Sequence, residues 1–414
     1  MQKTKSINMI KPILNKLMFT AILPGLVVSN GVFAMEITGK AGIEALGFSQ
    51  DAKFPEQHSF YGSAAIEPEL YHQLDDNSEI RAKLFYRYDA NSTSRTHGDV
   101  RELMYYRYAD DWEIHAGIGK VFWGTTESRH LVDTINQIDN IESLDDEQRL
   151  GQAMLQAKLI RDWGTVDLFV LPGFREVDFG QSELRPNLGL STTSDALYQS
   201  SDKDSHIDFA ARWNHTLDDL DLGVSYFNGT QRTPLLNPVL VNGQPKLQAT
   251  YVQSQQLGID AQYIAGDLLI KFEGLHRTSH KVSNTGVFSD YDSNAFVLGG
   301  EYTLIGIAET SYDLGLIGEY LYDEWEETTP FQKDWFTGLR WVLNDEQSTE
   351  VLFGNIYDLD DGSQIWQLEA SRRIAENWKA EVTGRWVTNV DTNNTFLNAY
   401  KQDDLVSLKL DYYF

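Results

Sequence analysis

The 414-residue chain has no cysteine, which excludes disulfides and thiolate metal sites and fits an exported protein that avoids thiol oxidation. It is poor in basic residues, with 34 Lys and Arg against 61 Asp and Glu. Such an acidic chain, without a basic patch for phosphate contacts, excludes nucleic acid as a partner. Beyond the amino-terminal leader, no run of eighteen apolar residues occurs, so there is no sequence for a transmembrane helix. Overall hydropathy is below zero. What remains is an aromatic-rich chain, with 20 Tyr, 20 Phe and 10 Trp, whose apolar residues alternate with polar ones. A chain without apolar helices can enter a bilayer only as a closed barrel, because lipid offers no partner to unpaired backbone groups.

The leader sets the compartment. Lys3, Lys5, Lys11 and Lys16 are followed by an apolar stretch from Leu17 to Val28 and by Val32 and Ala34, the small residues of a cleavage site. Residues 1–34 are therefore expected to be a secretory signal peptide, with the mature domain at 35–414. Its removal lowers the basic count from 34 to 30 and takes the net charge from −27 to −31.

Strand-like runs recur along the mature chain near 36–48, 58–72, 79–90, 99–108, 112–121, 151–161, 164–173, 204–216, 219–229, 252–265, 266–278, 292–304, 310–323, 333–343, 348–357, 362–372, 377–388 and 404–414. Tight acidic turns such as Asp75-Asp76-Asn77, Asp218-Asp219 and Gly266-Asp267 join every second pair, since Asn, Asp and Gly accept positive φ. The other connections are longer. Short turns on one side and long loops on the other predict an all-β antiparallel transmembrane barrel of about 16–18 strands.

Alternation within strands separates the faces. Ile80, Ala82, Leu84, Tyr86 and Tyr88 oppose Arg81, Lys83 and Arg87; Val100, Met104, Tyr106 and Tyr108 oppose Arg101 and Arg107. Ile207, Phe209, Ala211 and Trp213 oppose Asp208, Arg212 and Asn214. Leu268, Ile270 and Phe272 oppose Lys271 and Glu273, and Ala380, Val382 and Trp386 oppose Lys379, Glu381 and Arg385. A Lys or Arg facing lipid at mid-bilayer costs about 2–4 kcal/mol, so the charged face is expected to line a wet interior. Tyr105, Tyr106, Tyr108, Trp112, Trp163, Trp335, Trp341, Trp378, Tyr412 and Tyr413 lie near strand ends, as rim aromatics do.

The last ten residues place Val406, Leu408, Leu410, Tyr412 and Phe414 on one face and Ser407, Lys409 and Asp411 on the other. This strand resembles the closing strand of bacterial outer-membrane β-barrels. The resemblance implies that Tyr412 and Phe414 act as an assembly signal read by the barrel-assembly machinery. It also implies outer-membrane lipid as surroundings, the cell outer membrane as location, and compatibility with a homo-oligomer.

Residues 117–151 are the expected functional segment. Gly117 and Gly119 leave room for close approach. Thr125-Thr126-Glu127-Ser128 could cap a short helix, and Leu131, Val132, Ile135 and Ile138 follow at amphipathic spacing. Within it, residues 122–150 are the third long loop, the one that in porins folds inward and narrows the channel. Trp123-Gly124, Glu127-Ser128 and Asp133 to Gln137 also resemble a region of alginate-export-type and related uncharacterised porins. The resemblance implies a porin and carries no substrate with it; the charged wall is what points to small polar solutes. Arg81, Lys83, Arg87, Arg101, Arg107, Arg129, Arg212, Lys271 and Arg385 would attract anions there, opposed across the constriction by Glu127 and Asp133. A barrel-borne hydrolase and a transporter of less polar substrates are the alternatives.

Enzymatic readings find little support, and the chain is expected not to be an enzyme. Ser128, His130 and Asp133 are too close in sequence for a hydrolytic triad, and no nucleophile-elbow glycines flank Ser128. The nine histidines show no zinc spacing, and Asp358, Asp360 and Asp361 make an incomplete calcium loop. No cofactor is expected.

Overall fold

The structure is a computed structural model that describes residues 35–142, 147–283, 286–326 and 329–414; the expected leader at 1–34 lies outside the described residues. Eighteen antiparallel strands form one sheet that closes on itself. In chain order they begin with β1 (Met35–Phe48), β2 (Phe60–Asp75), β3 (Ser78–Asp89), β4 (His97–Tyr108), β5 (Trp112–Gly119), β6 (Gln152–Arg161) and β7 (Gly164–Pro172). A two-residue strand outside the barrel, β8 (Leu197–Tyr198), precedes β9 (Ile207–Leu217) and β10 (Leu220–Thr230). A second excursion, β11 (Leu235–Val241) and β12 (Gln244–Tyr251), leads to β13 (Gln253–Ala265), β14 (Leu268–Val282), β15 (Phe288–Leu304) and β16 (Asp313–Asp323). The ring ends with β17 (Lys333–Val342), β18 (Glu350–Asp358), β19 (Gln364–Ala375), β20 (Trp378–Thr388) and β21 (Leu405–Tyr413). Closure is the pairing of β21 with β1, from Lys40 opposite Tyr413 to Phe48 opposite Leu405. Each of the eighteen runs expected from the sequence contributes one barrel strand.

The outer face is an apolar belt. Leu84, Tyr86 and Tyr88 on β3, Ile207 and Phe209 on β9, Leu257 and Ile259 on β13, and Leu339 and Trp341 on β17 are all exposed. An apolar surface this continuous belongs in lipid rather than water. On the inner face of β3, Lys83 and Arg87 are held by carboxylates of β1 and β2.

One strand departs from the expected faces. Lys83 pairs with Glu102 but Leu84 pairs with Val100, so Arg101 is one residue too many: a β-bulge. Beyond it the alternation of β4 is inverted. Met104, Tyr106 and Tyr108 face inward, while Leu103, Tyr105 and Arg107 face outward. Tyr106 donates its hydroxyl hydrogen bond to Glu102 at 2.9 Å, and Tyr108 donates to Glu79 at 2.9 Å, so neither is a rim aromatic. Arg107 leaves the interior altogether and pairs with the exposed Asp75 at 2.9 Å beside the short turn. The room at Gly117 and Gly119 is taken by Met104 rather than by arginines; a Cβ on Gly119 would lie 3.0 Å from the Met104 sulfur.

The inner face is also less uniformly polar than expected. Leu275, Ala295, Val297, Ile317, Leu321, Phe336, Ile356, Ile365 and Val387 form a buried aliphatic stripe running from β14 to β20. It is wider than any single strand's alternation suggests. Above it sits a six-residue helix, Thr395–Tyr400, whose Leu397 joins the stripe. Asn394 caps that helix by accepting the Leu397 N–H at 2.9 Å. The β11–β12 hairpin turns through Asn242 and Gly243, both at positive φ, and β8 adds to it in parallel. This three-stranded sheet lies where the sequence reading has only long loops, although Asn-Gly between apolar runs is the hairpin signature.

Candidate functional site

The described residues of the segment between β5 and β6 form turns, bends and an isolated bridge rather than the expected short helix. Its apolar residues nevertheless decide where it goes. Val132 and Ile135, both fully buried, pack with Trp123 against Met104, Met154, Phe169, Leu171, Ala210 and Phe227, on strands β4 to β10. The adjacent Leu131 packs into the aliphatic stripe beginning at β14. Two consecutive side chains thus contact different walls of the barrel.

Polar contacts repeat the arrangement. Glu273 on β14, fully buried, accepts the N–H of Thr125 at 2.7 Å, the N–H and hydroxyl of Thr126 at 3.0 and 2.8 Å, and the N–H of Val132 at 3.3 Å. Glu319 on β16, also fully buried, accepts the N–H groups of Glu127 and Ser128, each at 2.8 Å, and the Ser128 hydroxyl at 2.5 Å. Farther along, Glu142 pairs with Arg87 on β3 at 2.7 Å, and Asp139 pairs with Arg101 on β4. Within the segment, Asn136 donates to the carbonyls of Gly119 at 3.0 Å and Leu150 at 2.9 Å, which pins its two ends together.

The expected site residues divide as follows. Arg81, Lys83, Arg87, Arg101, Arg212, Lys271 and Arg385 sit on the inner face, and Arg107 does not. Arg81 pairs with Glu79 at 2.5 Å, Lys83 with Glu69 at 2.7 Å, Arg87 also with Glu44 at 2.5 Å, and Arg212 with Asp260 at 2.7 Å. In the segment, Glu127 meets Arg340 of β17 at 2.6 Å and Lys271 at 3.6 Å, Arg129 meets Asp323 at 2.9 Å, and Asp133 meets Arg149 at 3.0 Å. Arg340 was missed by sequence reading, though it alternates with the exposed Leu339 and Trp341. Arg81, Lys83, Arg87, Arg101, Arg212 and Lys271 thus carry carboxylate partners, which offset part of their charge within the wall.

Two cavities flank the segment. One, of about 540 Å³, is lined by nine acidic and six basic side chains, among them Glu44, Arg87, Glu127, Arg340, Glu381 and Lys409. The other, of about 330 Å³, lies toward the long loops and has mixed walls of aliphatic, aromatic, amide and charged groups. Glu127 borders both.

Ser128, His130 and Asp133 are not assembled for hydrolysis. The Ser128 hydroxyl is given to Glu319, Asp133 is held by Arg149, and His130 faces Glu273 at 3.8 Å. Burial lowers the proton affinity of His130, but the facing Glu273 and Asp133 outweigh it and hold its pKa above the ordinary imidazole value. Burial raises Asp133 above the usual carboxylate range despite Arg149 and His130. Among the described residues no cluster of His, Asp and Glu is arranged to hold a metal ion.

No family model and no curated protein matches the chain. Among solved structures it is similar to the outer-membrane protein OmpT of Vibrio cholerae, at 11% identity over 94% of this chain and 99% of that one, with a TM-score of 0.46. It is also similar to a mutant of Rh. blastica porin, at 10% identity over 92% of this chain and all of that one, with a TM-score of 0.42. Likenesses this weak leave the strand register as the ground for the fold.

Proposed function

We propose that this barrel is an outer-membrane porin in which residues 120–151 lie across the channel and set its narrowest section. The observation that carries this reading is the anchoring of one segment to β3 and β4 at one end and to β14, β16 and β17 at the other. β4 and β16 stand nine positions apart in a ring of eighteen, so the attachments are half a circumference from each other. Buried ion pairs at the β3–β4 end and backbone hydrogen bonds to buried carboxylates at the other favour a fixed constriction over a loose loop.

The solutes are small and polar. With nine acids to six bases around the larger cavity, the reading favours cations and neutral solutes over the anions expected from the arginines alone. Export through the 1–34 leader, insertion by the barrel-assembly machinery and assembly into a homo-oligomer belong to the same reading. The resemblance of the Trp123–Gln137 region to alginate-export-type porins belongs to it too, and names no substrate. Reconstitution in a planar bilayer under a KCl gradient tests the proposal: discrete conductance steps with a cation-signed reversal potential are expected. Inserted protein that conducts nothing overturns it.

A further inference from the structure

We propose that the cavity on the long-loop side is a binding subsite for an uncharged sugar; this rests on the pore reading and names a solute class for it. The cavity's walls are unlike those of the larger one. Leu131, Leu275, Ile356, Ile365 and Phe331 give it a continuous apolar surface, which is the exposed end of the aliphatic stripe. Among the amides that line the same space are Gln256 on β13 and Gln367 on β19. Gln256 is only 6% exposed, and neither amide has a side-chain partner among the described residues.

Each feature excludes a class of ligand. An amide offers both a donor and an acceptor, and burying it without a partner costs about 1–3 kcal/mol, so a purely apolar occupant leaves that cost standing. An ion meets charges that are already paired: Arg277 and Arg129 are held by Asp323 at 2.6 and 2.9 Å, Arg232 by Asp208 at 2.7 Å, Arg149 by Asp133 at 3.0 Å and Glu127 by Arg340 at 2.6 Å. A sugar has the required two-sidedness, with C–H groups for the aliphatic wall and hydroxyls that both donate to and accept from amides. A volume of about 330 Å³ lies at the lower end of small-molecule sites, of the order of 300–1,000 Å³, which suits one or two rings. Solute entering from the long-loop side would meet this surface before the charged constriction bordered by Glu127.

The test uses the full barrel folded in detergent, with maltose as the neutral probe and glucuronate as the charged one. Calorimetric titration should show maltose binding in the millimolar range, and maltose should interrupt the current through bilayer-inserted wild-type channels. Gln256→Leu and Gln367→Leu should each weaken maltose binding about tenfold or more while the sugar-free conductance stays near wild type. Should either glutamine variant fail to fold, Phe331→Ala removes apolar contact from the same cavity and should weaken binding likewise. A conducting barrel that takes up no maltose, variants that bind it as wild type does, or glucuronate preferred over maltose each overturns the subsite and leaves the pore reading standing. A barrel that binds maltose without conducting overturns the pore reading instead.

Discussion

Thr126 gives both its backbone N–H and its hydroxyl to one oxygen of Glu273, a residue 147 positions later in the chain and buried in the barrel wall. With Thr125 and Val132 donating to the same carboxylate, Glu273 organises a stretch of backbone that has no regular secondary structure to satisfy it. Glu319 does the same for Glu127 and Ser128.

Replacing Glu273 by Ala should therefore release the segment. Each N–H left buried and unpaired costs about 1–3 kcal/mol, so the loop should leave its seat rather than stay with orphaned donors. Single-channel conductance should rise, and the native barrel should unfold at a lower urea concentration. Glu319→Ala should act in the same direction. Conductance that stays at the wild-type level in both variants would mean that the segment does not limit flow.

Arg87 and Arg107 were expected to act alike and should not. Arg87→Gln takes the buried guanidinium from Glu142 and leaves Glu44 to Arg95 alone, at a cost of about 3–5 kcal/mol, and makes the interior more negative. The reversal potential in a KCl gradient should move further toward cations, and the shift should shrink at high salt as screening shortens. Arg107→Gln should leave the reversal potential unchanged, because this side chain lies outside the channel next to Asp75.

The channel should be pH-sensitive through His130. Its pKa is raised in the folded protein, so the attraction between the imidazolium and Glu273 is fully present below the ordinary histidine pKa of about 6.5 and is lost as pH rises through the higher folded value. The raised pKa of Asp133 works in the same direction, since its buried carboxylate becomes less tolerable as it ionises. The segment should be held most firmly in mild acid, and conductance fluctuations should increase on titration into the alkaline range. His130→Gln should flatten that dependence. An identical pH profile in the variant would remove His130 from the account.

The extracellular cap, as the orientation of the porin reading has it, should depend on Arg185. This fully buried guanidinium pairs with Asp403 at 2.8 Å and lies 4.3 Å over the ring of Phe48, tying the loop after β7 to the one before β21. Arg185→Ala leaves Asp403 with Lys53 as its remaining basic partner and should make the 173–206 loop open to limited proteolysis while the barrel strands stay protected.

The barrel was legible because its signal is repeated eighteen times: a misjudged end in one strand does not alter the period in the next. The constriction segment was legible from its length and from Leu131, Val132 and Ile135, whose apolar character requires burial somewhere. The sequence did not reveal which carboxylates receive it, since Glu273 and Glu319 read like any other inward acid. The aliphatic stripe escaped notice because it runs across strands. Ile317, Phe336, Ile356 and Ile365 become neighbours only through register, which turn lengths set and composition does not mark. Inward bases can be counted from alternation, whereas the acids that face them, such as Glu44 opposite Arg87 and Asp260 opposite Arg212, are placed only by the fold.

The bulge at Arg101 makes β4 a matter of parity. Every residue from Leu103 to Tyr108 owes its side of the wall to one extra amino acid, so a single deletion there would turn Met104, Tyr106 and Tyr108 toward lipid and bring Leu103, Tyr105 and Arg107 inside. Such a change leaves composition almost untouched and yet exchanges the lining of half a strand for its coat. For a lineage of barrels, gaining or losing one residue at this point is a shorter route to a different channel than any series of substitutions along the strand.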